Sequence, residues 1–342
     1  MTTEATDVLG ATQPAPQIVV TAVAPQIVVF GSLNMDAVLR VPRAPQGGET
    51  LHGHSLTYLP GGKGGNQAVA CARMGARVSM LGQVGADAHG LALRTALEQD
   101  GIDCSGVAIS QAAATGAALV MVDDAGQNRI VVIGGANAGV TLDEAALAQH
   151  LATAAFLVMQ LEVPVPAVLK AARLAQRAGC KVLLNPSPIP AEPLPDGLWP
   201  LIDTVVVNEV EAQALTGRAV DSPESAALAA LALRALGPER VVVTLGALGA
   251  VAAAADGCYF YPALAVKALD TTAAGDTFLG ALAAGLAQGS GFADALALGN
   301  RAAAWCVQHA GAQPAIPSLA LLARVAAAPV RTRLDSNLND GA

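Results

Sequence analysis

Apolar positions along the chain follow two alternating patterns. Short runs that are apolar almost throughout, at 27–30, 78–83, 156–161, 182–185, 205–207 and 241–245, predict β-strands. Between them, alanine-rich stretches at 65–74, 87–100, 166–178, 209–216, 222–236, 275–288 and 292–309 predict helices. Strands with no polar face belong in a parallel sheet whose two sides are covered by helices. The alternation therefore predicts an α/β fold, a doubly wound, mainly parallel sheet flanked by helices. Two segments, 36–60 and 115–133, break the rhythm. They hold extended runs at 37–41, 50–59, 116–122 and 129–133 with turn signals such as Gly47 and Gly48, and leave no room for a helix. A small β-sheet projecting from the main domain accounts for both, suited to a lid or a dimerisation surface.

The domain organisation follows. Residues 26–35, 61–114 and 134–330 form the main domain, and 36–60 with 115–133 form the lid. Residues 1–25, rich in Thr, Ala and Pro, are expected to be a disordered extension, and 331–342 a flexible tail. Within the extension, the hexapeptide at 15–20 recurs at 24–29. Only the second copy continues into Phe30, Gly31 and Ser32, so it is the one read as the first core strand.

Composition narrows the function. The 342 residues are 53% hydrophobic and 13% charged, yet no run of about 20 apolar residues exists, because glycines and polar residues interrupt the least charged stretch at 277–293. A membrane span is not expected. A net charge of -8, 3% aromatic residues and no basic cluster argue against nucleic-acid binding. Five well-separated cysteines with no CxxC pair read as buried thiols in a cytoplasmic protein. Glu4 and Asp7 at an N-terminus without a basic segment do not read as a secretory signal.

The chain carries no GxxxxGK[ST] loop and no GxGxxG after its first strand. His52 and His54 lack supporting ligands and read as polar residues of an edge strand. Three glycine-rich segments remain. Gly61 to Gln67 leads into a helix; its glycines permit close backbone approach, and Lys63 and Asn66 can bond several oxygens. Thr244 to Gly249 follows a buried strand, at the end where open α/β sheets bind ligands. Asp270 to Phe278 opens a helix at Gly275 and Asp276, where free N–H groups and the helix dipole favour an anion. Two readings of Asp276 stand side by side: an N-cap that satisfies the helix, or a general base facing the anion.

These segments, in this order with Gly31 to Asp36, Gln160 to Glu162, Asn185 to Pro188, Asn208 to Glu211 and Gly311 to Pro314, resemble the ribokinase-like (PfkB) family of sugar and nucleoside kinases. The resemblance spans about 26–317. It implies transfer of the γ-phosphoryl group of ATP to the 5-hydroxyl of D-ribose. It assigns the sugar to Asn34, Asp36, Gly62, Lys63, Gly64, Gly65, Asn66 and Glu162, the base to Asp276, and the anion hole to Ala273, Ala274 and Gly275. Nucleotide would lie at Asn208, Thr244, Leu245, Gly246, Ala247, Leu248, Gly249 and Asn300, as well as Gly275 and Asp276. Glu211 would act through water on Mg²⁺. A K⁺ ion would be held by Asp270, Thr272, Cys306, His309, Gly311 and Ala315. Ala315 stands where the family often has Ser, and Asn300 where it often has His. The resemblance also implies a homodimer through the lid sheets. Alternatives are a kinase of the same family for 2-deoxyribose, fructose or a nucleoside, and a non-catalytic sugar-binding regulator. Intact Glu211, Gly275 and Asp276 argue against the last.

Overall fold

The computed structural model describes residues 26–334. The strands are β1 (Gln26–Phe30), β2 (Asn34–Val41), β3 (Ser55–Gly61), β4 (Arg77–Gly85), β5 (Asp103–Ser110), β6 (Gly116–Asp123), β7 (Asn128–Ile133), β8 (Ala154–Gln160), β9 (Lys181–Asn185), β10 (Thr204–Asn208), β11 (Arg240–Thr244), β12 (Gly249–Ala254), β13 (Gly257–Pro262) and β14 (Thr332–Arg333). The helices are α1 (Lys63–Arg73), α2 (Ala88–Gln99), α3 (Glu144–Leu151), α4 (Val165–Ala178), α5 (Glu209–Thr216), α6 (Pro223–Arg234), α7 (Ala274–Ala287), α8 (Phe292–Cys306) and α9 (Leu319–Leu322). No helix among the described residues is long and apolar enough to cross a membrane.

Ten strands form one sheet in the order β14-β13-β12-β11-β10-β9-β8-β1-β4-β5. From β11 to β5 neighbours run parallel. Alternate residues of each parallel strand face opposite layers. Ile27 and Val29 of β1 pack with α1, α2, α7 and α8, while Val28 and Phe30 pack with α3, α4, α5 and α6. The doubly wound fold read from the apolar runs is thus the observed one. Strands are added outward on both sides of the β1–β8 pair, so the carboxyl ends of β1 and β8 open a crevice where the winding reverses, the usual ligand site of such sheets.

The sheet also extends in a direction the apolar pattern did not indicate. β12, β13 and β14 continue it antiparallel beyond β11. The segment expected to be a flexible tail contributes β14: Thr332 and Arg333 pair with β13, and the Arg331 guanidinium lies 4.0 Å from the centroid of the Tyr259 ring and donates to the Tyr261 hydroxyl at 3.0 Å. The extension at 1–25 lies outside the described residues, as does 335–342.

A second sheet, in the order β3-β2-β6-β7, stands apart from the first. Its first strand begins at Asn34, two residues before the expected lid, so the lid grows directly from the end of β1 with only Gly31, Ser32 and Leu33 between. Its other root is fixed at Thr115. The Asp87 carboxylate accepts from Thr115 N at 2.8 Å and from its hydroxyl at 2.6 Å, and also caps α2 through Gly90 N at 2.8 Å.

Candidate active site

The glycine-rich turn before α1 packs on backbone rather than standing open. A Cβ on Gly62 would sit 2.7 Å from Asn34 N, and one on Gly64 2.6 Å from Ser32 N. Only glycine lets this turn close against the loop after β1, and Gly62 needs its positive φ of 82° there. The close approach that the sequence suggested for a ligand is therefore made to the protein's own chain. One consequence is that Lys63, Asn66 and Gln67 project from the first turns of α1 toward the crevice.

Around the crevice stand three carboxylates. Glu162 follows β8; its Oε2 accepts from the Ser32 hydroxyl at 2.5 Å and from Lys63 N at 3.1 Å. Asp36 lies on β2 with its carboxylate filling the place of a Gly61 side chain. Burial, then the nearby Glu162 and Asp276 charges, push Asp36 up to about 7. Asn34, two residues earlier on the same strand face, is held by Asn137, whose Nδ2 donates to Asn34 Oδ1 at 2.8 Å. The Asn66 Oδ1 is buried and has no partner among the described residues.

Asp276 is the third residue of α7, not its N-cap. That place belongs to Ala273, in the left-handed conformation with φ 59° and no capping side chain. The carboxylate instead accepts Asn66 Nδ2 at 3.0 Å and Gln67 Nε2 at 2.9 Å, from across the chain. Burial raises its pKa above the ordinary value against the opposing pull of Lys63, Asn66 and Gln67. Burial also works against the Lys63 ammonium, but Asp276, Glu162 and Glu211 more than offset it and its pKa is raised. The anion-hole expectation is adjusted at one position. Ala274 N donates to Thr271 O at 3.2 Å, whereas the amides of Ala273, Gly275 and Asp276 have no acceptor among the described residues. A Cβ on Gly275 would meet nothing within 4 Å, so the space before these amides is open.

That space is a cleft of about 220 Å³, lined by Lys63, Asn185, Asn208, Glu211, Thr244 and the stretch 273–276 among others. Lys63, expected with the sugar ligands, thus also faces the Asn208 side. Asn208 and Glu211 form a capping box at α5: Glu211 N donates to Asn208 Oδ1 at 2.8 Å and Asn208 N to Glu211 Oε2 at 2.9 Å. Glu211 keeps its other oxygen for the cleft. Of the turn 244–249, only Thr244 lines the cleft; 246–248 is a 3-10 turn, with Leu248 half exposed and Leu245 buried. Asn300 stands apart from the cleft and donates to the Tyr261 and Pro262 carbonyls, both at 3.3 Å, fixing the end of β13.

The segments expected at a K⁺ site do meet. The Asp270 carboxylate accepts Thr272 N at 2.9 Å, the Thr272 hydroxyl at 2.6 Å and Gly311 N at 2.8 Å, tying the loop before α7 to the loop after α8. Cys306 Sγ lies 3.6 Å from Thr272 O, Cys306 O accepts His309 N at 3.0 Å, and the buried Ala315 offers only backbone. Ser32, Gln67, Asn137 and Gln160 were absent from the sequence-derived site. Ser32, Gln67 and Gln160 lie within segments already singled out, and the Gly134-Gly135 pair was the only signal for Asn137.

The pfkB family carbohydrate kinase model matches residues 24–319. The chain is 40% identical to the ribokinase of Haemophilus influenzae, over 85% of this chain and 95% of that one. It is 41% identical to the ribokinase of Schizosaccharomyces pombe, over 86% and 95%. The structure of Arabidopsis thaliana ribokinase complexed with ribose and ATP superposes with a TM-score of 0.82 at 31% identity, covering 88% of this chain and 98% of that one. Matched along nearly its whole described length and built on the same fold, the chain belongs to the pfkB family of carbohydrate kinases.

Proposed function

We propose that the chain is an ATP-dependent kinase of D-ribose, forming D-ribose 5-phosphate and ADP. The observation that carries this reading is the setting of Asp276: a buried carboxylate held by two amide side chains, in the same first turn of α7 as N–H groups that have no acceptor among the described residues and face an open cleft. Ribose would lie between Asn34, Asp36, Asn66 and Glu162, whose carboxylates accept hydroxyl protons and whose amides offer both donors and acceptors. ATP would occupy the cleft beside Asn208 and Thr244, its terminal phosphoryl group before Gly275.

In the reaction, Asp276 takes the proton from the 5-hydroxyl as that oxygen forms its bond to the γ-phosphorus. The bond from phosphorus to the β–γ bridging oxygen breaks, and its electron pair leaves with ADP. Lys63 and the amides of Ala273, Gly275 and Asp276 neutralise charge on the transferring group; a well-placed donor contributes about 3 kcal/mol in the transition state. Asp276 later returns its proton to solvent. The open oxygen of Glu211 suits Mg²⁺ held through water beside the phosphates, where the ion would neutralise phosphate charge. A monovalent cation such as K⁺ would be held by Asp270 with backbone oxygens of Thr272, Cys306, His309 and Gly311, with Ala315 supplying no hydroxyl. The lid sheets would pair two copies in the cytoplasm.

The test is Asp276→Asn. Turnover should fall by about 10²–10⁴-fold, while ribose still binds by titration calorimetry. Turnover near that of the parent would remove the base assignment. Rates across ribose, 2-deoxyribose, fructose and adenosine decide the substrate.

A further inference from the structure

A row of buried side chains that does not itself line the cleft ends on Asp276. Gln67 Nε2 donates to Asp276 Oδ1 at 2.9 Å, and Gln160 Nε2 donates to Gln67 Oε1 at 2.6 Å. Both glutamines are fully buried. A primary amide can present either its oxygen or its NH₂, so its orientation has to be imposed. Here the carboxylate imposes the polarity. Its Oδ1, joined by Asn185 Oδ1, which accepts from the same NH₂ at 3.4 Å, demands a donor from Gln67, which turns the Gln67 oxygen away, and that oxygen in turn demands a donor from Gln160. The Gln160 oxygen has no partner among the described residues and lies against Gly31, where a Cβ would come within 1.9 Å of it. A buried acceptor left unpaired is unfavourable. Its presence indicates that this orientation is kept for what the other end of the amide does. The row links the end of β8 through α1 to α7, so three elements set the position of one carboxylate oxygen.

We infer that the row Gln160–Gln67–Asp276 is a positioning relay: it occupies Oδ1 of the base from behind and so fixes how the carboxylate is presented to the substrate alcohol. Gln67 and Gln160 are positioning residues, since neither lines the cleft. The inference rests on the reading of Asp276 as base, and deepens it.

The experiment compares Gln67→Met, Gln160→Met, the double variant and Asp276→Asn in the full chain, with kcat and KM for ribose at saturating ATP and melting curves for each. Methionine keeps length and volume but has no amide. The relay requires kcat to fall about 10-fold in Gln160→Met and about 10–100-fold in Gln67→Met, within the range a positioned base supplies. KM for ribose should change less than about 2-fold. Because Gln160 acts only through Gln67, the double variant should be no slower than Gln67→Met. Multiplying effects, or a lowered melting temperature with kcat unchanged, would overturn the relay and leave ordinary core packing. If a methionine variant fails to fold, the isosteric Gln67→Glu sets an acceptor against Asp276 and should be at least as slow; near-parental kcat would again overturn it. Substantial turnover in Asp276→Asn would instead remove the base reading itself, whereas a dead Asp276→Asn beside a normal Gln67→Met would remove the relay alone.

Discussion

Asp36, Glu162 and Asp276 stand close enough for their charges to repel, and Asp36 bears the consequence most visibly. Its pKa, pushed from 3.8 up to about 7 by burial and by the other two charges, means that the folded chain holds this proton more tightly than the unfolded one. A raised carboxyl contributes stability that is fully present below its unfolded value and is lost as pH rises through the folded value, here between about 4 and 7. At pH 8 the ligand-free protein therefore carries an unfavourable carboxylate, and the proposed sugar site would use it as a charged acceptor for hydroxyls. Asp36→Asn should raise the melting temperature at pH 8 by roughly 2–5 °C, with the difference from the parent shrinking toward pH 5. The same change should weaken ribose binding at pH 8 by about 10–100-fold, the worth of hydrogen bonds to a charged group. Parallel calorimetric melts and titrations of parent and variant read both effects. Superimposable melting curves and unchanged affinity would mean that the carboxylate stands outside the cluster.

At the scale of elements, the site depends on how closely α1 and α7 approach. Gly280 of α7 sits where a Cβ would lie 2.4 Å from the Ala70 methyl and 3.0 Å from Gln67 O, so the two helices are in contact at backbone distance. Gly280→Ala should force them apart, costing about 1–3 kcal/mol by overpacking. It should lower kcat more than it raises KM, because Asp276 rides on one helix and its two amide donors on the other. Adding Ala70→Gly should restore both; urea melts and steady-state kinetics that stay parental in Gly280→Ala would show that the helices have room. None of this pairing was legible in the sequence, where Gln67 and Asp276 lie 209 positions apart. Six of the seven parallel strands were legible because apolar residues fill both faces; β5 was not, because Asp103, Ser105 and Gly106 interrupt its apolar run. β12 was not, because Gly249-Ala-Val-Ala-Ala-Ala254 has the composition of a helix and becomes a strand only by pairing with β11 and β13. The same asymmetry holds in the site. Candidate ligands contiguous in the chain, such as Lys63 and Asn66, announced themselves, whereas Asn137 behind Asn34 had only the neighbouring Gly134-Gly135 pair to reveal it.

For the molecule as a whole, the open question in its surface is the lid. β7 is an edge strand exposed along its entire length, with Ile130, Val131, Val132 and Ile133 each more than half accessible. Register places Tyr58 and Leu56 of β3, Ala37 and Leu39 of β2, Leu119 and Met121 of β6, and Val131 and Ile133 of β7 on one continuous face, the one turned away from Asp36. A flat apolar edge of this kind invites pairing and is normally covered. Its polar exceptions, such as Arg129 bridging to Asp123, sit at one end and leave the centre apolar. A second copy of the same sheet is the occupant that matches it, because an isologous contact brings apolar residues against apolar residues with no charge to bury. Light scattering should therefore give about twice the chain mass of 34.1 kDa. Val131→Asp should shift the protein toward monomer, because each copy would bring a carboxylate to the centre of the contact. Val131 is exposed within the single chain, so the substitution leaves folding and the melting curve of the monomer nearly unchanged. Because β2 carries both Asn34 and Asp36 and runs through the centre of the lid, loosening the pair should raise KM for ribose while kcat at saturation changes little. A parent protein that scatters as a monomer at all concentrations, or a Val131→Asp dimer with parental KM, would show that this face is left bare and that the lid holds the sugar alone.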